Sequence, residues 1–165
     1  MDECGPYNRF MQTLRTIVVG TDFSECAEHA LDTAITLASL GDARITLVHV
    51  CALSAERGVA EAMVSQALDD QLLDACQAAL DSVIARHSRR GIQLTGVLRS
   101  GRPAEKLNNV AAEVGASVIV IGRHGAGRGA QADLGTVSER VMRTATRPVL
   151  VVPCDITRSL GMETP

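Results

Sequence analysis

Apolar positions along the chain follow two rhythms: short β-branched runs, and longer stretches in which apolar residues recur every three or four positions. The runs "LRTIVVG" (14–20), "ARITLVHV" (43–50), "IQLTGVL" (92–98), "SVIVIG" (117–122) and "RPVLVVP" (147–153) predict five strands. Between the first two, Ala27, Ala30, Leu31, Ala34, Ile35 and Ala38 keep helical spacing; Ser24 is placed as N-cap and Gly41 as C-cap. A long helix ending near Gly91 carries a stripe of Leu72, Leu73, Cys76, Ala79, Leu80, Val83 and Ile84 that would face a sheet. Pro103 presets a third helix through Leu107, Val110, Ala111 and Val114, closed by Gly115. Val137, Val141 and Ala145 mark a fourth.

The resulting order, βαβαβαβαβ with apolar rather than alternating strands, predicts an α/β fold: an open, parallel, five-stranded sheet with helices on both faces. Such sheets bind ligands beyond the carboxyl ends of their strands, where strand order reverses. Residues 13–153 are expected to form one domain, with residues 1–12 a loose extension and 154–165 a tail without pattern. Aromatic residues are 2% of the chain, with no Trp, so the core must be Val, Ile, Leu and Ala. The same scarcity, with a net charge of −3, argues against nucleic acid as a partner. No run approaches the length of a membrane span, and no signal-peptide pattern opens the chain, so a cytoplasmic protein is expected. The five cysteines are scattered and form no CxxC; reduced thiols are expected, without a disulfide framework or zinc site.

Five glycines fall between Gly122 and Gly135, after the fourth predicted strand and before the fourth helix. Bare backbone followed by a helix N-terminus is a physical basis for holding phosphate, because amides can converge where no Cβ intervenes. Thr136 would add a hydroxyl, and Arg123 and Arg128 charge-assisted contacts. An exposed turn remains the alternative. Two other cradles are excluded: the only lysine, Lys106, lies outside the loop, and the first turn, "GTDFS", is no GxGxxG.

The spacing Gly122-x2-Gly125-x9-Gly135-Thr136 resembles the ATP-binding signature of the universal stress protein family, G-x2-G-x9-G-[ST]. "TIVVGTDFSECAEHAL", "ITLVHV", "GRPAEKL" and "TRPVLVVP" are similar to other segments of that family, in the same order. The resemblance implies an adenine nucleotide α-hydrolase-like fold with strand order 3-2-1-4-5. It implies ATP, ADP or AMP as ligand, with Mg²⁺, and phosphates held by Gly122, Gly125, Gly135, Thr136 and the Val137 amide. Asp22 would lie beside ribose and adenine, the Val50 backbone would meet the adenine, and Gly20, Thr21 and Ile121 would complete the pocket. It further implies a homodimer paired through the last strand, and a regulatory, stress-response role exerted on a protein partner. The segment "AGRGAQADL" is smaller and more polar than in relatives.

Several residues carry two readings. Asp22 is a nucleotide contact or a cap ahead of Ser24. His124 is a general base or an orienter of the loop, and sequence shows no partner for it. Arg128 is a phosphate partner or a solvated arginine; His49 is a core histidine; Cys26 and Cys76 are core thiols. Three functions follow: a nucleotide-dependent regulatory module without dedicated catalytic groups, although slow ATP hydrolysis is compatible with it; a hydrolase or transferase of the same superfamily, whose SGGxDS and HxGH patterns are missing here; and a dimerisation module without nucleotide.

Overall fold

The computed structural model describes residues 14–51, 59–88, 91–125 and 134–154. The elements are β1 (Thr16–Thr21), α1 (Glu25–Gly41), β2 (Arg44–Cys51), α2 (Val59–His87), β3 (Leu94–Ser100), α3 (Pro103–Glu113), β4 (Val118–Gly122), α4 (Thr136–Thr144) and β5 (Val149–Val152). The five strands form one sheet in the order β3-β2-β1-β4-β5, every pairing parallel. Val19 lies opposite Leu47 on one side and Val120 on the other, which sets the centre of the sheet.

Period-two alternation divides the strands between two cores. Ile17, Val19, Ile45, Leu47, Val118 and Val120 pack with Ala30, Leu31 and Ala34 of α1 and Leu80 and Val83 of α2. Val18, Val48, Ile119 and Ile121 face the other way, onto Leu107, Val110 and Ala111 of α3 and Val141 of α4. Helices α1 and α2 therefore cover one face and α3 and α4 the other, the chain changing faces between β2–α2–β3 and α3. Small residues on α1 let it lie close on the sheet: Ala30 and Ala34 are wholly buried.

The caps follow their chemistry. Ser24 Oγ accepts from the Ala27 amide at the start of α1. At its end the cap is Asp42, not the expected Gly41: Asp42 takes the left-handed conformation (φ 51°), which aspartate tolerates better than most residues, and its N–H reaches Ala38 O. Gly115 ends α3 at φ 63°, as the pattern predicts. The stripe on α2 holds only in part. Leu80 and Val83 are buried, but Leu72 is 44% exposed. A helix of 29 residues runs about 43 Å, whereas the eight residues of β2 span about 26 Å, so its N-terminal portion overhangs the sheet. No described helix is long and apolar enough to cross a membrane.

Cys26 and Cys154 correct the expectation of reduced thiols: they are joined in a disulfide across 128 residues of sequence. Their distance along the chain hides what the topology does, since the start of α1 and Cys154, two residues past β5, both lie at the carboxyl edge of the sheet. Cys51 and Cys76 are free.

Candidate functional site

A cleft of about 330 Å³ opens at the carboxyl ends of β1, β2 and β4, where α1 leaves β1 for one face and α4 leaves β4 for the other. Gly20, Thr21, Asp22, Val50, Ile121, Gly122, His124, Gly125, Gly135, Thr136 and Val137 all line it. Residues from four separate stretches of chain, nominated on the sequence, thus meet at one place. Arg123 does not line it; its side chain is exposed and its backbone bridges two elements, the amide donating to Val152 O at 2.7 Å. Arg128 lies outside the described residues. Ala27, Val48, His49, Pro103, Leu107 and Ser138 join the lining unannounced. For Pro103 and Leu107 the segment "GRPAEKL" carried the only advance signal.

The turn after β1 is tightly organised. Asp22 Oδ1 accepts from the amide and hydroxyl of Ser24, so the carboxylate anchors the α1 cap while it lines the cleft. Of the two readings of this residue, the contact seen in the structure is the one to Ser24 at the start of α1. Phe23 adopts φ 63° and stacks its ring on His49, centroids 4.4 Å apart. His49 Nδ1 lies 2.8 Å from Thr21 O and must donate to that carbonyl. His49 is therefore a half-buried cleft residue rather than a core one.

Gly122, Gly125 and Gly135 act through space, not through positive φ. A Cβ on Gly122 would sit 2.9 Å from Cys26 O, so β4 ends against the backbone of α1. A Cβ on Gly125 would meet Asp22 Oδ2 at 2.5 Å. Gly135, at φ −68°, spends its amide on Arg123 O at 2.9 Å and so cannot offer that N–H to a ligand. The donors come one residue later. Helix α4 starts with no side-chain cap, and Thr136, Val137 and Ser138 of its first turn line the cleft. Ser138 Oγ is already committed to Gly122 O, at 2.8 Å, which fixes the helix start on the end of β4. His124 is 8% exposed, and neither ring nitrogen has a hydrogen-bond partner among the described residues. A buried polar ring without partners, facing an apolar cleft with an uncapped helix end, suits a polar, anionic ligand.

Beside this cleft, burial and the neighbouring Cys76 thiol, to which it is hydrogen-bonded, push the Cys51 thiol up to about 12. Cys51 is therefore a neutral thiol under ordinary conditions.

The Universal stress protein family model matches residues 13–153. Universal stress protein YxiE of Bacillus subtilis is 28% identical over 144 residues, covering 82% of this chain and 97% of that protein. Universal stress protein MJ0577 of Methanocaldococcus jannaschii is 27% identical over 152 residues, covering 84% and 94%. Its solved structure matches with a TM-score of 0.75 over 85% of this chain and 96% of that chain, at 27% identity. A solved universal stress protein in complex with cAMP matches with a TM-score of 0.63 at 25% identity, covering 86% and 98%. The sheet order 3-2-1-4-5 is that of the adenine nucleotide α-hydrolase-like fold. On its sheet, its collinear motifs and the family model that spans them, this chain belongs to the universal stress protein family.

Proposed function

We propose that the cleft binds an adenine nucleotide, ATP as its Mg²⁺ complex, and that the protein is a nucleotide-dependent regulatory module acting on a protein partner. The observation that carries this reading is the meeting in one cleft of a helix N-terminus without a side-chain cap, Gly125 without a Cβ, and the His124 ring, which has no partner among the described residues. Thr136 and Val137 would give amides to the phosphates, with Gly122, Gly125 and Gly135 beside them in the lining. Gly20, Thr21, Asp22, Val50 and Ile121 would receive ribose and base; the apolar walls of Val48, Val50, Leu107 and Ile121 suit a flat ring. That a relative of similar fold is known in complex with cAMP supports an adenine ligand.

Calorimetry with ATP, ADP, AMP, cAMP and GTP is the direct test. Adenine nucleotides should bind and GTP should bind at least tenfold more weakly. No heat with any adenine nucleotide at millimolar concentration would reject the reading.

The same proposal includes a homodimer paired through β5. This strand is one margin of the sheet, and Leu150 on it and Met142 on α4 are exposed apolar residues. An apolar edge of this kind is ordinarily covered. Light scattering at high concentration should give twice the mass of the chain; a monomer would contradict the pairing.

A further inference from the structure

His49, Cys51 and Cys76 place one potential ligand atom each within 4.8 Å of one another. None of the three spacings in the sequence announces a metal site. The fold assembles it: His49 and Cys51, two apart on β2, project from the same face of the sheet, the face that α2 covers, and α2 brings Cys76. We infer that these three side chains form a zinc-binding site beside the nucleotide cleft.

Two features of His49 support this independently of the cysteines. Its Nδ1 donates to the Thr21 carbonyl at 2.8 Å, which leaves Nε2 as the nitrogen with a lone pair. Metal-bound histidines are oriented in this way, the far ring N–H held by a carbonyl or carboxylate. The Phe23 ring stacks on the imidazole and fixes its plane. The ring is thus held by contacts that owe nothing to an ion. The donor set, two sulfurs and one imidazole, suits a borderline-soft cation and does not suit Mg²⁺ or Ca²⁺.

Size agrees with chemistry. Bonds of about 2.3 Å to sulfur and about 2.0 Å to nitrogen set tetrahedral ligand atoms roughly 3.5–3.8 Å apart. Closing the cluster onto zinc requires side-chain movement of about 1 Å and the loss of both thiol protons to solvent as the Zn–S bonds form. Three protein ligands leave a fourth position for water or an anion. His49 also lines the cleft, so the ion would lie against its wall.

The test uses the full chain, reduced with a phosphine and stripped of metal. Zn²⁺ should bind at one equivalent per chain, and Co²⁺ in its place should show thiolate charge-transfer and tetrahedral visible bands. Cys51→Ser and Cys76→Ser should each weaken binding beyond the roughly 10–100-fold expected of outer contacts. The Cys26→Ser/Cys154→Ser double variant should bind as the parent does. Should a variant fold poorly, alkylation of the parent chain followed by mass spectrometry reads the site directly: Zn²⁺ should shield Cys51 and Cys76 selectively. Absence of stoichiometric uptake, uptake unchanged in both serine variants, or shielding of Cys26 and Cys154 instead would each overturn the inference. Nucleotide calorimetry on the metal-free chain is a separate readout, so failure of one reading is distinguishable from failure of the other.

Discussion

Gly122 and Gly125 share a motif but have different physical reasons to be glycine. At Gly122 an added Cβ would strike backbone, the Cys26 carbonyl, between two regular elements that cannot easily part. At Gly125 it would strike the carboxylate end of Asp22, which can rotate away. Gly122→Ala should therefore cost about 1–3 kcal/mol of stability. Gly125→Val should cost less stability than Gly122→Ala, no more than the Asp22–Ser24 contact it disturbs, while lowering ATP affinity at least tenfold, because it displaces a carboxylate that lines the cleft. Thermal melts beside calorimetry separate the two; equal destabilisation by both changes would show that Gly125 is also a packing residue. The motif was legible in the sequence, but the division of labour within it was not, since spacing says nothing of which backbone stands opposite. For the same reason Gly135 was expected to give an amide that it in fact spends on Arg123.

At the scale of elements, almost every strand and helix could be read from its apolar period, because burial on a parallel sheet demands unbroken apolar strands and one-sided helices. The departures occur where tertiary length or local chemistry overrides the period. Helix α2 keeps its stripe past the end of the sheet it covers, and Asp42 takes a left-handed cap that glycine was expected to hold. The β3 strand starts at Leu94, not Ile92, in register with Ile45. The overhang makes a quantitative prediction within one helix. Leu80→Ala, at a wholly buried site, should destabilise by about 2–5 kcal/mol, whereas Leu72→Ala should change stability by less than about 0.5 kcal/mol. Urea midpoints of the two variants measure the contrast, and a large loss at Leu72 would mean that a further surface covers that end of α2.

For the molecule as a whole, the carboxyl edge of the sheet gathers the cleft, whose residues the motifs announced, and two features whose pairings sequence could not show: the cluster of His49, Cys51 and Cys76, and the Cys26–Cys154 disulfide. Each brings together residues that the chain keeps far apart, and composition carries no record of such meetings. The disulfide has the widest reach. It fastens Cys154, two residues past β5, to the first turn of α1, against which Gly122 packs, and so closes a ring containing nearly every element. A cross-link spanning 128 residues restricts the unfolded chain far more than the folded one. Cys154→Ser should lower stability by about 2–4 kcal/mol, which for a chain of this size corresponds to a fall in melting temperature of roughly 5–15 °C. Reducing the parent protein should reproduce that fall, and reductant should then have no further effect on the variant. If reduction leaves the parent's melting curve where it was, the two sulfurs are not bonded in solution, and the end of β5 is held to α1 by packing alone.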